Sequence, residues 1–234
     1  MNTELRGRCK KSRDLAQQFI YLLPRERPAR KRFILARGSI AVAGHLHAGI
    51  VALAEQQQFT AAFVLLRSLF ESGLTAWWLI YAAHTDDVKR IWEFQGAIPP
   101  DEDDVPGLKK KIDQLASRGP YPGAKNLAVL FDGPGAQGKW MHKLAHVSAP
   151  LVKLHDNAQA FSTEAMVSAL NLADTFLALS VGAAVAMYDG TSDLEQFVID
   201  TRQSLMSEQQ GKTPADDPEP WRSHPCVLAD SWDV

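Results

Sequence analysis

The chain has 234 residues, of which 46% are hydrophobic and 22% are charged, and its net charge is −2. This composition is typical of a globular protein that buries a sizeable core. The two cysteines, Cys9 and Cys226, lie near opposite ends and neither stands in a CxxC or Cys/His metal spacing. These counts exclude a disulfide framework and predict one domain with peripheral segments in a reducing cytoplasm.

Positive charge is concentrated at the start of the chain. Residues 1–37 hold eleven Lys or Arg residues and three acidic residues, so the remainder is net negative. Such asymmetry is typical of a surface that faces nucleic acid, and it suggests an RNA or nucleotide contact through residues 6–37. The alternative is a solvated helix face and a basic loop that complement the acidic body.

Helical patterns dominate the chain from its start. The prolines of PRERPARKR end the first amphipathic helix. The second helix is rich in glycine, which costs about 1 kcal/mol per residue in a helix, so another helix is expected to approach it closely. The third is the most apolar, and Ser162 caps a later long helix. The predicted helices cover residues 5–22, 30–56, 58–83, 85–96, 107–119, 139–148, 163–188 and 192–208.

These patterns predict an all-α protein. We expect an up-down bundle of long central helices, the second, third and final long ones, with short helices inserted between them. The bundle domain is predicted over residues 30–208 and follows a basic helix and Pro-containing linker at 1–29. Residues 209–234 are rich in proline and aspartate and are predicted to be an irregular tail.

Two apolar stretches are long enough to raise the question of membrane insertion. Residues 59–83 contain an arginine and a glutamate, and residues 169–188 contain Asn171 and Asp174. A charge in the middle of a helix is costly in lipid. Both stretches are therefore predicted to be central helices of a soluble bundle, without a membrane partner.

The third predicted helix carries a polar stripe on an otherwise apolar surface. Arg67 and Glu71 are four residues apart and can pair on one helix face, near Trp78. A buried charge needs hydrogen-bonding partners, so polar groups from other helices are expected nearby. The candidates on other mostly apolar helices are Asn171, Asp174, His45, His47, His142 and His146.

Three interpretations of this stripe remain open. The first is a buried polar network that fixes the register of the helices. The second is a site in which Arg67 binds an anion such as phosphate while Glu71 orients the anion or a histidine. The third is a role at a subunit interface.

The histidines do not form a convincing metal motif. His142 and His146 share a helix face at zinc-binding spacing, but Lys143 stands where a catalytic glutamate would follow, and no third ligand is indicated. No GxGxxG, Walker or GxSxG motif occurs. The sequence therefore predicts neither a metal nor a cofactor.

Four segments read AAFVLLRSLFESGLTAWWLIYAA, PGLKKKIDQLASR, KWMHKLAHVS and STEAMVSALNLADTFLAL. Together they resemble an uncharacterised family of bacterial helical proteins, in which an R-x-x-x-E helix precedes a W-x-x-L-x-x-x-x-H segment and a long final helix. The resemblance covers about residues 30–190, and its W-to-H spacing is matched only approximately. It implies no activity, and it carries over to Arg67, Glu71, Trp78 and His146.

More distantly, the pattern is similar to the HEPN bundles, which are often ribonucleases or nucleotide-binding toxins of bacterial conflict systems. Their Arg-x4–6-His motif is absent, since Lys139 and His146 give Lys-x6-His instead. Lysine lacks the planar fork with which arginine holds phosphate. The departure argues against ribonuclease activity and leaves a HEPN-like bundle as the expectation.

Three functions follow. The first is a dimeric binding or interaction module in a bacterial stress, toxin–antitoxin or phage-defence setting, with a second copy and a protein from the same operon as partners. The second is an RNA- or nucleotide-acting enzyme, in which His146 acts as general acid or base beside Arg67 and Glu71. The third is a purely structural network. The predicted binding residues are Lys139, His142, Asp174, Asn171 and Trp78.

Overall fold

The structure is a computed structural model that describes residues 1–93, 106–118, 162–188 and 191–210. Seven α-helices and no strands are present in these ranges, which confirms the all-α prediction. The predicted helix at 139–148 and the tail beyond residue 210 lie outside the described residues. The helices are α1 Thr3–Leu22, α2 Lys31–Glu55, α3 Phe59–Tyr81, α4 Thr85–Glu93, α5 Leu108–Arg118, α6 Thr163–Val185 and α7 Ser192–Gln210.

Polar caps and a tight turn set the ends of the long helices. The Asn2 side chain accepts a hydrogen bond from the Leu5 amide at 2.8 Å at the start of α1. Ser162 caps α6 in the same way, as its sequence position predicts. Between α2 and α3 only three residues intervene, and Gln57 takes a positive φ of 59° there. So short a connection makes α2 and α3 neighbours of opposite direction.

The centre of the bundle is formed by α2, α3 and α6, as predicted. α2 runs antiparallel to α3, because Arg32 near its start donates to the carbonyl of Ile80 near the end of α3. It also runs antiparallel to α6, since His47 contacts Asp174 while Arg37 contacts Tyr188 beyond the end of α6. α5 packs on α3 and α7 packs on α6.

The first helix belongs to the same hydrophobic core. Leu5, Cys9 and Phe19 of α1 are buried. α1 runs parallel to α6, because Asn2 contacts Thr163 at one end and the following loop contacts Tyr188 at the other. The C-terminal ends of α1, α3 and α6 therefore lie together with the start of α2. We call this the basic end, for its exposed residues Arg25, Arg27, Arg30 and Lys31.

Helices α3 and α6 approach each other closely at Gly73. The rings of Phe70 and Phe176 lie 4.9 Å apart at this contact. A methyl group added to Gly73 would collide with the Ser180 hydroxyl, which is buried and donates to the Phe176 carbonyl at 2.7 Å. Glycine is therefore required here by the separation of the two helices.

The small residues of α2 differ in what lies near them. A methyl group on Gly49 would lie 3.4 Å from the Leu65 side chain of α3, which is ordinary van der Waals contact. A methyl group on Gly38 or Gly44 would meet nothing within 4 Å among the described residues. Gly38 and Ala41 are exposed in the part of the chain that the structure describes.

Three helices, α2, α3 and α6, are long and apolar enough to cross a membrane, by length and composition. This finding points to membrane association, and the predicted cytoplasmic location is wrong. The prediction rested on the cost of charges in the middle of α3 and α6 in lipid. In the structure Arg67 pairs with Glu71, and Asp174 pairs with Arg8. Charges that pair within a bundle are the kind that membrane helices tolerate.

Candidate functional site

Polar side chains inside the bundle form two separate clusters. We call the first the α3–α5 cluster and the second, between α1, α2 and α6, the Asp174 network. Within the described residues, Arg67 belongs to the first cluster and Asp174 to the second. The α3–α5 cluster consists of Arg67, Glu71, Thr75, Trp78, Lys111 and Gln114. The Asp174 network consists of Arg8, Ser12, His47, Asn171 and Asp174.

An ion pair forms the solvent-facing edge of the α3–α5 cluster. The Nε of Arg67 donates to Oε1 of Glu71 at 2.7 Å, which is the pairing that their spacing allows. The Arg67 side chain is 19% exposed and that of Glu71 is 37% exposed. The edge is therefore half-buried and in contact with solvent.

Helix α5 adds a half-buried cation, Lys111, to this edge. The Lys111 ammonium donates to Oγ1 of Thr75 at 3.0 Å, and the Thr75 hydroxyl donates to the Glu71 carbonyl at 2.7 Å. The same ammonium nitrogen lies 5.4 Å from the centroid of the Trp78 ring. Trp78 is fully buried, and its Nε1 donates to Oε1 of Gln114 at 2.6 Å. α5 is thus held on α3 by charged and polar contacts.

The electrostatic balance of the α3–α5 cluster favours an anion. Burial lowers the pKa of Lys111, and the nearby Glu71 carboxylate raises it part of the way back. Among the described residues of this cluster, Arg67 and Lys111 are the cations and Glu71 is the carboxylate. A desolvated cation that is only partly compensated gains from a further negative group. Perturbed ionisable groups of this kind are enriched at functional sites.

The Asp174 network satisfies one buried carboxylate with donors from two other helices. Arg8 and Ser12 of α1 both donate to Oδ2, with Ser12 Oγ at 3.1 Å. His47 Nε2 of α2 donates to Oδ1 at 2.6 Å, and Arg8 also donates to Asn171 Oδ1 at 2.5 Å. Asp174 is 1% exposed, so the network is closed to solvent. Its arrangement joins α1, α2 and α6.

One atom of this network has no hydrogen-bond partner in the described part of the chain. His47 Nε2 donates to Asp174, while the other ring nitrogen, Nδ1, is buried and has no partner there. Leaving a buried polar atom unsatisfied costs about 1–3 kcal/mol. Since His47 is fully enclosed, this cost belongs to the packing of three helices and not to an open binding site.

The predicted site residues fall into three groups. Arg67, Glu71 and Trp78 lie together in the α3–α5 cluster, while Asn171 and Asp174 lie in the Asp174 network. The described ranges contain no group of three or more His, Cys, Asp or Glu side chains that could hold a metal ion. The roles of Lys139, His142 and His146 stay predictions, because these residues lie outside the described ranges.

Sequence reasoning missed the two cations that matter most to these clusters. Arg8 lies in a basic helix and Lys111 in a run of three lysines, and each looks like a solvated charge. Their spacing from buried residues along each helix is the pattern that could have identified them. Lys111 lies one turn before the buried Leu115, and Arg8 lies one turn before the buried Ser12. Each cation therefore shares a face with core residues.

Comparison with models of protein families identifies the family to which the chain belongs. A family model described as a family of unknown function (DUF6988) matches residues 40–206, well over half of the sequence. The chain belongs to this family. DUF6988 membership confirms the expected relation to an uncharacterised domain family. No curated protein and no solved structure matches the chain.

The range matched to DUF6988 separates the two clusters. All six residues of the α3–α5 cluster lie inside residues 40–206. The Asp174 network lies only partly inside, since Arg8 and Ser12 precede the match. In this DUF6988 protein the half-buried cluster is therefore contained in the family region, and we take it as the candidate functional site.

Proposed function

We propose that the protein is a binding module, and that its α3–α5 cluster binds a compact anion of the phosphate class. The observation that carries this proposal is the half-buried ammonium of Lys111, which lies beside the ion pair of Arg67 and Glu71. The proposal includes a HEPN-like arrangement of the bundle and a bacterial stress, toxin–antitoxin or phage-defence setting. These two parts rest on the HEPN resemblance.

The chemistry of the two cations supports a phosphate ligand. Lys111 has three N–H donors, one of which goes to Thr75. Arg67 presents a planar guanidinium, the geometry that suits phosphate oxygens, while a lysine acts as a point charge. Glu71 accepts from Nε of Arg67 and thereby fixes the plane of the guanidinium. The carboxylate is a positioning group in this proposal.

A purely structural role is the competing interpretation. An apolar side chain would make a purely structural contact between α3 and α5 equally well, because a buried ion pair seldom contributes more to stability than well-packed apolar residues do. Burial of Lys111 lowers its pKa, so its charged form is destabilised in the folded protein. A destabilised cation is better accounted for by an anionic ligand than by packing.

Thermal unfolding in matched salts tests the proposal. The chain is heated in inorganic phosphate and in chloride of equal ionic strength, together with Lys111→Met and the control Lys110→Met. Lys110 is exposed on the same helix. We expect phosphate to raise the melting temperature of the wild type and of the control, but not of Lys111→Met. An equal rise in all three proteins, or no rise in the wild type, would reject the site.

The proposed module acts as a homodimer. Support comes from α2, an apolar helix on which Gly38, Ala41 and Ala48 are exposed in the part of the chain that the structure describes. Light scattering on the purified chain at micromolar concentration tests this part. Twice the chain mass is expected, with a shift to the monomer in Ala41→Glu. A strict monomer in the wild type would remove the dimer and leave the anion site untouched.

A further inference from the structure

The connection between α1 and α2 combines exposed apolar side chains with a group of cations. Ile20 is 69% exposed and Tyr21 is 83% exposed, more than any other large apolar side chain in the described ranges. The ten residues that follow include a single acid, Glu26. All four cations of this stretch are exposed, namely Arg25, Arg27, Arg30 and Lys31.

Two inner arginines fix this stretch to the bundle. Arg37 donates to the Glu26 carbonyl and to the Tyr188 hydroxyl, and Tyr188 in turn donates to the Glu26 carbonyl at 3.1 Å. Arg32 donates at 3.0 Å to the Ala83 carbonyl, just beyond α3. Cations are stabilised at the C-terminal ends of helices, three of which meet here. The four outer cations are thus presented on a rigid base.

The basic start of the chain is not one continuous charged stripe. Arg8 is buried against Asp174, and Arg13 pairs with Glu55 on α2. Together with the inner arginines of the basic end, these residues are engaged within the protein. A backbone-tracking nucleic-acid site needs a run of outward cations. Arg6, Lys10 and Lys11 are exposed on α1, so an RNA contact through residues 6–37 is the competing interpretation that the experiment below distinguishes.

The exposed side chains fit a lipid interface better. Tyrosine is enriched at the level of lipid headgroups, and an adjacent isoleucine can enter the acyl boundary. Clustered Lys and Arg residues are attracted to anionic headgroups by about 1 kcal/mol each. Helix α2 begins at Lys31, directly behind the cluster, and is long and apolar enough to cross a membrane. Membrane-length helices and an interfacial anchor point to the same partner.

We infer that the basic end docks on an anionic lipid membrane surface. Ile20 and Tyr21 enter the interface, while the four outer cations of the basic end face the headgroups. The inference concerns a surface distinct from the α3–α5 cluster and does not depend on the anion site.

Vesicle flotation with a charge-matched control tests the inference. The full chain is mixed with phosphatidylcholine vesicles that contain or lack phosphatidylserine. The test variant is Arg25→Glu with Arg27→Glu. The control is Arg6→Glu with Lys10→Glu, which makes the same change of charge on the exposed face of α1. Arg6 precedes Tyr21 by fifteen residues, about 22 Å along the helix.

We expect phosphatidylserine to strengthen the binding of the wild type to vesicles. The affinity of the test variant for these vesicles should be at least about tenfold lower. The control should lose little. A second variant, Ile20→Ser with Tyr21→Ser, should weaken binding without changing the net charge. Binding that is equally strong for neutral and anionic vesicles, and for the wild type and all variants, would overturn the proposed docking surface. Retention of RNA on a filter without vesicle binding would also overturn it, in favour of nucleic acid.

Discussion

Lys111 on α5 lies over the ring of Trp78 on α3, with its ammonium nitrogen 5.4 Å from the ring centroid. The contact holds a cation in a place where burial lowers its pKa. A cation over an aromatic face is stabilised by about 0.5–2 kcal/mol, which offsets part of the cost of desolvation. Because the cost of desolvating Lys111 is offset only in part, the α3–α5 cluster is a candidate for binding an anion.

The pH dependence of stability should report on Lys111. The pKa of Lys111 is lower in the folded protein than in the unfolded chain. At pH values below the pKa of the folded state, Lys111 is charged in both states, and the full cost of its desolvation lowers the stability of the protein. This cost disappears as pH rises to the unfolded value of about 10.4. The wild type should therefore gain stability relative to Lys111→Met as pH increases. Urea denaturation from neutral pH upward measures this difference, and Lys110→Met serves as the control. A difference that is constant with pH would contradict the burial of this cation.

Removal of the buried carboxylate should be costly. Asp174→Ala leaves Arg8 without its partner, and an uncompensated buried charge costs about 3–5 kcal/mol. The double variant Arg8→Met with Asp174→Leu should recover most of that loss. Asp14→Ala, at an exposed position of α1, is the matched control and should change stability little. Chemical denaturation measures all of these values. Equal losses at positions 14 and 174 would show that the network is not holding the helices together.

The contact between α3 and α6 gives a prediction with an internal control of opposite sign. Gly73→Ala places a methyl group against the Ser180 hydroxyl and should cost about 1–3 kcal/mol of unfolding free energy. Addition of Ser180→Ala should relieve part of that cost. Gly7→Ala, also in a helix but with nothing within 4 Å of the added methyl group, should instead stabilise by about 0.4–1 kcal/mol. The same sign for both glycine substitutions would contradict the close approach at Gly73.

The thiol of Cys9 should resist alkylation in the folded protein. Burial raises the pKa of this thiol, an effect that Arg13 and Arg8 oppose in part, and the side chain is inaccessible. Thiolate is the reactive form, so both factors slow the reaction. In a Cys226→Ser background, maleimide labelling should be slow in buffer and rapid in urea. Rapid labelling of the native chain would show that α1 is not packed as described.

Sequence patterns predict the long helices and one half of the candidate site. Apolar runs and the Ser162 cap locate α3 and α6, and four-residue spacing predicts the pair of Arg67 and Glu71. The partners of these side chains could not be predicted in the same way. Arg8 meets Asp174 across 166 positions, and nothing local distinguishes it from a solvated arginine. For α6 the wrong cytoplasmic prediction has the same origin, because the pairing of Asp174 with Arg8 is a tertiary contact.

Calorimetric titration with inorganic phosphate tests the anion site most directly. The purified wild type and Lys110→Met should bind phosphate with similar affinity. Arg67→Met with Glu71→Leu should lose that binding while its free energy of unfolding changes little, because apolar residues replace an ion pair. Equal binding by all three proteins, or none by the wild type, would contradict the site and leave the cluster with a structural role alone.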